Sequence, residues 1–329
     1  MKPKADERGV ALLTTLLLVA VMAMIAVAVL DDIRFAIRRT SNTEALTQAQ
    51  LYAVGAESLA KARLESVLAR REGYVTLQGG WSGLPVVYPI EHGAIHMRLI
   101  DRGACFNLNS VVSGEPDAYV ANPSGAAQFR QLLIGLSLPE ADAERLSDAL
   151  VDWIDSDSIA RPSGAEDDAY MRGASPYRTS GDLLAEETEL RSVQGFTSEI
   201  YDRVRPFVCA LPIPQLTVIN INTMLPADAP VLSAVYMGRL PVEAARQVIA
   251  RRPAEGWPSQ TAFLEEPLLE RSVREEGASP IQQLEIRSRF FVLEGAVEFA
   301  GFFLPYSGLL EASPSGALVT AVRRWASIE

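Results

Sequence analysis

The densest group of residues able to do chemistry lies in LVDWIDSDSIARPSGAEDDAYM, from Leu150 to Met171. Asp152, Asp155 and Asp157 precede a Pro-Ser-Gly turn, and Glu166, Asp167 and Asp168 follow it. Carboxylates brought together repel one another unless positive charge sits among them. A hard cation taking about six to eight oxygen ligands, calcium above all, suits a carboxylate-rich loop with backbone carbonyls to spare. The spacing is not that of an EF-hand, because the D-x-[DN]-x-[DN]-G run and its closing Glu are missing. Two other readings stand beside the cation. One is a solvated acidic loop that caps the helix ending near Trp153. The other is a pair of carboxylates acting as acid and base of a hydrolase, which nothing else in the chain supports.

Other reactive side chains are sparse. His92 and His96 fall four apart in a turn and strand, with no further Cys or His nearby to complete a metal site, and read as surface histidines. G-x-S-x-G, P-loop and C-x-x-C patterns are missing, so no enzyme emerges. Cys105 and Cys209 are the two cysteines. They form either a disulfide, if the bulk of the chain lies outside the cytoplasm, or two buried thiols.

Nucleic acid is a poor partner for this chain. Its net charge is −11 and its pI near 4.9, whereas phosphate binding is driven by Lys and Arg. Two segments nonetheless read as helix–Gly–helix units, one around Gly195 and one around Gly238. They define the alternative to be weighed, a membrane-anchored helix-hairpin-helix DNA-binding protein. Their hairpins read Gln194-Gly195-Phe196 and Met237-Gly238-Arg239 and lack the Gly-hydrophobic-Gly pattern of that motif. Structural helix pairs are the better reading.

The elements that must position these residues begin with MKPKADERGVALLTTLLLVAVMAMIAVAVL. The unbroken apolar run Val10–Leu30 would span about 31 Å as a helix, the thickness of a bilayer core. A secretory signal has an apolar region of roughly 7–15 residues and a cleavage site after it. Here Asp31-Asp32 and the amphipathic stretch Ile33–Arg39 follow instead. Lys2, Lys4 and Arg8 precede the span and Arg34, Arg38 and Arg39 follow it, so charge leaves orientation ambiguous. From Asp31 to about Arg71 no proline interrupts a helical composition, which predicts one helix continuing out of the membrane.

Strand signals then appear at Val86–Tyr88 and Ala94–Ile100, and again at Phe290–Phe299 and Ala317–Val322, the last two reading as paired strands. Between them, residues 123–275 read as short helices separated by Pro, Gly and Ser. The layout predicts an α+β fold: a small antiparallel sheet with the long helix, interrupted by an inserted all-α domain. The segments expected are 1–9, 10–30 (transmembrane), 31–72 (helix continuation), 73–115 and 284–329 (α/β domain), and 116–283 (insert). Phe106-Asn107-Leu108-Asn109-Ser110 is echoed, within the insert, by Ile219-Asn220-Ile221-Asn222-Thr223.

Several of these stretches together carry a family resemblance. Arg8-Gly9-Val10-Ala11-Leu12-Leu13-Thr14 is similar to a type IV pilin-like leader. With Gly103–Asn109, the Asp152–Asp157 run, Gly164–Asp168, Ser175–Arg178, Glu189–Arg191 and the Ile219–Thr223 motif, nearly the whole chain resembles the minor pseudopilin K family of type II secretion systems. The resemblance implies the pilin-like fold with a helical insert. It implies cleavage between Gly9 and Val10 by prepilin peptidase, methylation of the new terminus, and a single-pass inner-membrane protein with its C-terminal bulk in the periplasm. Pilins of this type usually carry Glu at the fifth mature residue; Thr14 stands there, which favours a position at the pseudopilus tip. The partners implied are the minor pseudopilins I, J and H and the major subunit. A structural Ca2+ in the insert is implied too, with Asp155, Asp157, Glu166, Asp167 and Asp168 as ligands and Asp152 beside them.

Overall fold

The computed structural model describes residues 5–69, 73–172, 175–272, 280–313 and 316–325. Helix α1 (Ala5–Ala69) runs unbroken, about 98 Å long at 1.5 Å per residue. Its most apolar window, of mean hydropathy 2.8, has no residue buried against the rest of the chain. The lower half of α1 behaves differently. Ala45, Ala49, Ala53, Ala56, Ala60 and Leu64 recur at helical spacing and are all buried. Small side chains on one stripe let the helix backbone lie close to a sheet.

That sheet has five antiparallel strands in the order β1-β2-β3-β4-β5: β1 (Val86–Ile90), β2 (Gly93–Asp101), β3 (Phe290–Phe299), β4 (Phe302–Ala312) and β5 (Leu318–Trp325). Its inner face supplies Ile95, Met97, Leu99, Phe291, Leu293, Val297, Tyr306 and Leu310 to one core with the alanine stripe. Gly295 is required there. A Cβ at that position would meet the Tyr306 ring at 2.6 Å.

One sequence expectation changes at the sheet. Phe290–Phe299 and the strand ending the chain are not neighbours, because β4 lies between them. β4 escapes notice since Pro305 and Gly308 interrupt its strand signal. Pro305 nonetheless lies within the ladder to β3, opposite Ala296. Strand β2 ends at Asp101. Residues Phe106-Asn107 already pair in parallel with Val208-Cys209 of the insert, so the insert starts just after β2.

The insert consists of two related halves. Each opens with an Asn-x-Asn clamp, and each clamp sits at a two-residue parallel strand pair: Phe106-Asn107 with Val208-Cys209, and Ile219-Asn220 with Leu284-Glu285. In the first, Asn107 Oδ1 accepts from Asn109 N, while the Asn109 amide both accepts from Leu184 N (2.8 Å) and donates to Leu184 O (3.0 Å). In the second, Asn220 Oδ1 accepts from Asn222 N, and the Asn222 amide grips Trp257 N (2.8 Å) and Trp257 O (2.9 Å) in the same way. All four asparagines are buried and hydrogen-bonded, so the sequence echo marks two backbone clamps.

A helix pair follows each clamp: α2 (Pro123–Gly135) with α3 (Glu140–Ile154), and α6 (Ala229–Val235) with α7 (Val242–Ala250). α3 and α7 each start after a Leu-Pro, with Pro139 and Pro241 both at φ −57°, ψ 145°. The counterpart of the Gly238 hairpin is therefore the Ser137-Leu138-Pro139 turn. Gly195 instead lies between a 3-10 turn and the short helix α5 (Ser198–Val204).

Cys105 and Cys209 form a disulfide, with Cα atoms 5.8 Å apart across 104 residues of sequence. It settles the alternative left open by the sequence and fastens the base of the insert where it meets Phe290 and Leu309 of the sheet.

Candidate metal centre

The acidic loop is built around the end of α3. Asp148, Asp152 and Asp155 lie on successive turns of that helix, and Asp155 ends it at ψ 162°, turning the chain away. The loop then doubles back on the helix through Arg161. Its Nε donates to Asp148 Oδ1 (2.8 Å) and its backbone N to Asp152 Oδ2 (3.0 Å), while Ser163 N donates to Asp148 Oδ2. Gly164 passes so close that a Cβ there would lie 2.0 Å from Asp152 Oδ2. The turn delivers Glu166 in extended conformation, just before the single-turn helix α4 (Asp167–Tyr170). Trp153, Tyr170 and Tyr177 pack ring against ring beside it, with centroids 5.2–6.0 Å apart.

This path brings Asp155, Asp157 and Glu166 together, with one carboxylate oxygen of each within 4.8 Å of the others. Two oxygens bound to one calcium at about 2.4 Å can be at most about 4.8 Å apart, so the three fit around one ion. Asp155 Oδ1, Glu166 Oε1 and Asp152 Oδ1 are all buried and lack a hydrogen-bond partner. Unpaired buried carboxylate oxygens are costly and call for a compensating charge. Burial raises the Asp155 carboxyl to about 7, reinforced by Asp157 and Asp152. Burial likewise raises Glu166 to about 7, with Asp152 and Asp155 adding to it, and Asp152 to about 6. All the donors gathered here are oxygen, which fits a hard cation and not zinc or copper.

The remaining acidic residues of the loop face elsewhere. Asp167 Oδ1 accepts from Thr179 N and Oγ1, and its Oδ2 lies 3.5 Å from Arg178. Asp168 is exposed. Neither joins the trio. Asp148 and Arg161, which fold the loop, were not singled out from sequence; their separation of thirteen residues has no recognisable signature.

Comparison with known proteins now decides the family. Family models for the type II secretion system protein K match residues 104–213 and 219–283, which are the two halves of the insert. The type II secretion system protein K of Pectobacterium carotovorum is 36% identical over 268 residues, covering 81% of both chains. The chain belongs to the type II secretion system protein K family. The Klebsiella pneumoniae member is 35% identical over 266 residues, again covering 81% of each chain. Among solved structures, the GspK-GspI-GspJ complex from enterotoxigenic Escherichia coli matches with a TM-score of 0.74 and 28% identity, covering 88% of this chain and 99% of that one.

The other residues singled out from sequence lie apart from the carboxylate trio. Gly9, Val10 and Thr14 are on α1, where the Thr14 hydroxyl donates to Ala11 O at 2.9 Å and leaves no charge on that turn. His92 is in the β1–β2 turn at φ 62°, and His96 on β2 lies 3.4 Å from Glu298. Their side chains are 72% and 42% exposed.

Proposed function

We propose that this minor pseudopilin sits at the tip of a type II secretion pseudopilus and nucleates its assembly, serving protein export across the outer membrane. The observation that carries the reading is the division of labour along α1. Its upper part exposes a continuous apolar surface for a membrane or neighbouring helices, while its lower part is locked to the head by the alanine stripe. Thr14 cannot neutralise a neighbour's terminal amine, and the bulky insert extends from one end of the sheet; both suit a subunit with none above it. Minor pseudopilins I and J are the first partners, since the matching solved chain is part of a GspK-GspI-GspJ complex, with H and the major subunit following.

On this reading prepilin peptidase cuts between Gly9 and Val10 and methylates the new terminus, and the head lies in the periplasm, anchored in the inner membrane by Val10–Leu30. The protein is structural and catalyses nothing. Asp155, Asp157 and Glu166, with Asp152 behind them, would hold Ca2+, which supplies the positive charge that the buried oxygens lack. The test is the N-terminal sequence and intact mass after co-expression with a prepilin peptidase. A start at Val10 carrying one extra methyl is expected. A start at Met1, or beyond Leu30, overturns the reading.

A further inference from the structure

The stretch Ile33–Arg39 is absorbed neither by the span nor by the head. It continues α1 without a break and every residue of it is exposed. Asp31 lies 3.6 Å from Arg34, in a pair that is mostly solvent-exposed. Among the described residues, Arg38 and Arg39 have no ion-pair partner. Interleaved with the arginines are Ile33, Phe35 and Ile37, exposed by 49%, 69% and 62%.

The position of these residues along the helix is fixed by its rise. Arg34 lies about 6 Å and Arg38 about 12 Å past Leu30. The headgroup layer of a leaflet occupies roughly the first 5–7 Å beyond the hydrocarbon, and arginines extend toward it while their stems stay on apolar surface. Their position around the helix is fixed as well. Arg38 stands at i−7 from Ala45 and i−11 from Ala49, on the face that the head covers further down. Between that face and the β3–β4 turn lies a recess of about 790 Å³, lined by Arg39, Thr43, Thr47, Phe299 and Ala300. Phe303, at the start of β4 just past that turn, is exposed by 64%.

We propose that Arg34, Arg38 and Arg39 form a seat for anionic phospholipid headgroups of the leaflet facing the head, setting how the head stands on the membrane. This rests on the reading of Val10–Leu30 as a span. Continuity with the span brings the arginines to the headgroup layer, and their charge selects phosphodiesters with no balancing headgroup cation. Asp31, Asp32 and Glu44 are the acidic residues nearby, and only Asp31 is paired with one of the three arginines.

The test uses the full chain in phosphatidylcholine vesicles containing spin-labelled phosphatidylglycerol or phosphatidylcholine. Relative association is read from the motionally restricted fraction of each label. A preference for phosphatidylglycerol of about fivefold or more is expected, since each arginine near a charged surface contributes about a fivefold factor and Asp31 offsets part of it. The preference should fall in high salt, drop to near one in R34Q/R38Q/R39Q, and survive in R34K/R38K/R39K. A ratio near one in the unaltered chain, or one unchanged by the Gln variant, overturns the seat. Flotation with pure phosphatidylcholine vesicles separates the two readings. A chain that floats without lipid preference loses only the seat, and one that does not float loses the span with it.

Discussion

Arg323 on edge strand β5 donates its Nε–H to Glu57 Oε2 at 2.8 Å, tying the middle of α1 to the last described strand of the sheet. Glu57 is the charged member of an otherwise small-residue helix face. Thr320 donates to its other oxygen and Lys61 lies 3.0 Å away, so both carboxylate oxygens are engaged. A helix held by alanines alone could slide along the sheet, and this pair fixes its register.

The Glu57 contact predicts an acid limb of stability. Burial alone would raise its carboxyl, but the hydrogen bonds from Arg323, Thr320 and Lys61 prevail and hold it at about 2. A carboxyl depressed on folding stabilises above its unfolded value, here 4.5, and that contribution is lost as pH falls toward 2. Glu57→Gln should cost about 2–3 kcal/mol near neutral pH and flatten the stability profile between those two values. Amide hydrogen exchange over Ala45–Leu64 checks it: exchange should quicken in the variant at pH 7 and match the parent near pH 2.

The alanine stripe predicts intolerance of bulk. Ala56 is fully buried against the sheet. Ala56→Leu adds three carbons where no space exists, and overpacking of this kind costs about 1–3 kcal/mol. Leu59→Ala, on the exposed side of the same turn, should be nearly neutral. Thermal unfolding of the two variants side by side reports the difference.

How much of this was legible in the sequence follows from which interactions are local. Val10–Leu30 and the helix beyond it were readable because length, composition and period act within one segment. The two Asn-x-Asn echoes were readable as a repeat but not as clamps, because their partners at Leu184 and Trp257 are distant in the chain. β4 was missed because Pro305 breaks the local signal while the sheet tolerates it at that place. The acidic loop was found as a cluster, yet only folding shows that Asp155, Asp157 and Glu166 converge while Asp167 turns to Thr179. Glu57 could not have been found at all, since Arg323 lies at the far end of the chain.

The disulfide predicts a redox-dependent stability of the insert. Cys105–Cys209 closes a loop with a sequence separation of 104 residues; the chain-entropy relation gives about 4.7 kcal/mol for such a loop, and measured losses are about 2–5 kcal/mol. Cys105→Ser with Cys209→Ser should therefore lower the unfolding midpoint clearly, and reductant should lower the parent to the same value. No further loss on reducing the double variant is expected, because there are no other cysteines.

The carboxylate trio predicts a calcium response with a defined pH dependence. Burial, then neighbouring carboxylates, hold Asp155 and Glu166 at about 7 without an ion. Groups raised on folding favour the folded state below their unfolded values, and that advantage fades as pH rises through the folded value. Ion-free protein should thus lose stability from about pH 4 to about 7 and level off above. Calcium needs the ionised carboxylates, so its stabilisation should grow over the same range. At a hundredfold excess over its Kd an ion adds about 2.7 kcal/mol. Asp155→Asn and Glu166→Gln should abolish the calcium-induced rise in Tm at pH 7.5 while leaving the ion-free Tm unchanged or higher. Asp168→Asn, outside the trio, should keep the full rise. A rise lost equally in all three variants would mean that the ion sits elsewhere in the loop, since among the described residues Asp155, Asp157 and Glu166 are the acidic group whose oxygens lie within reach of one another.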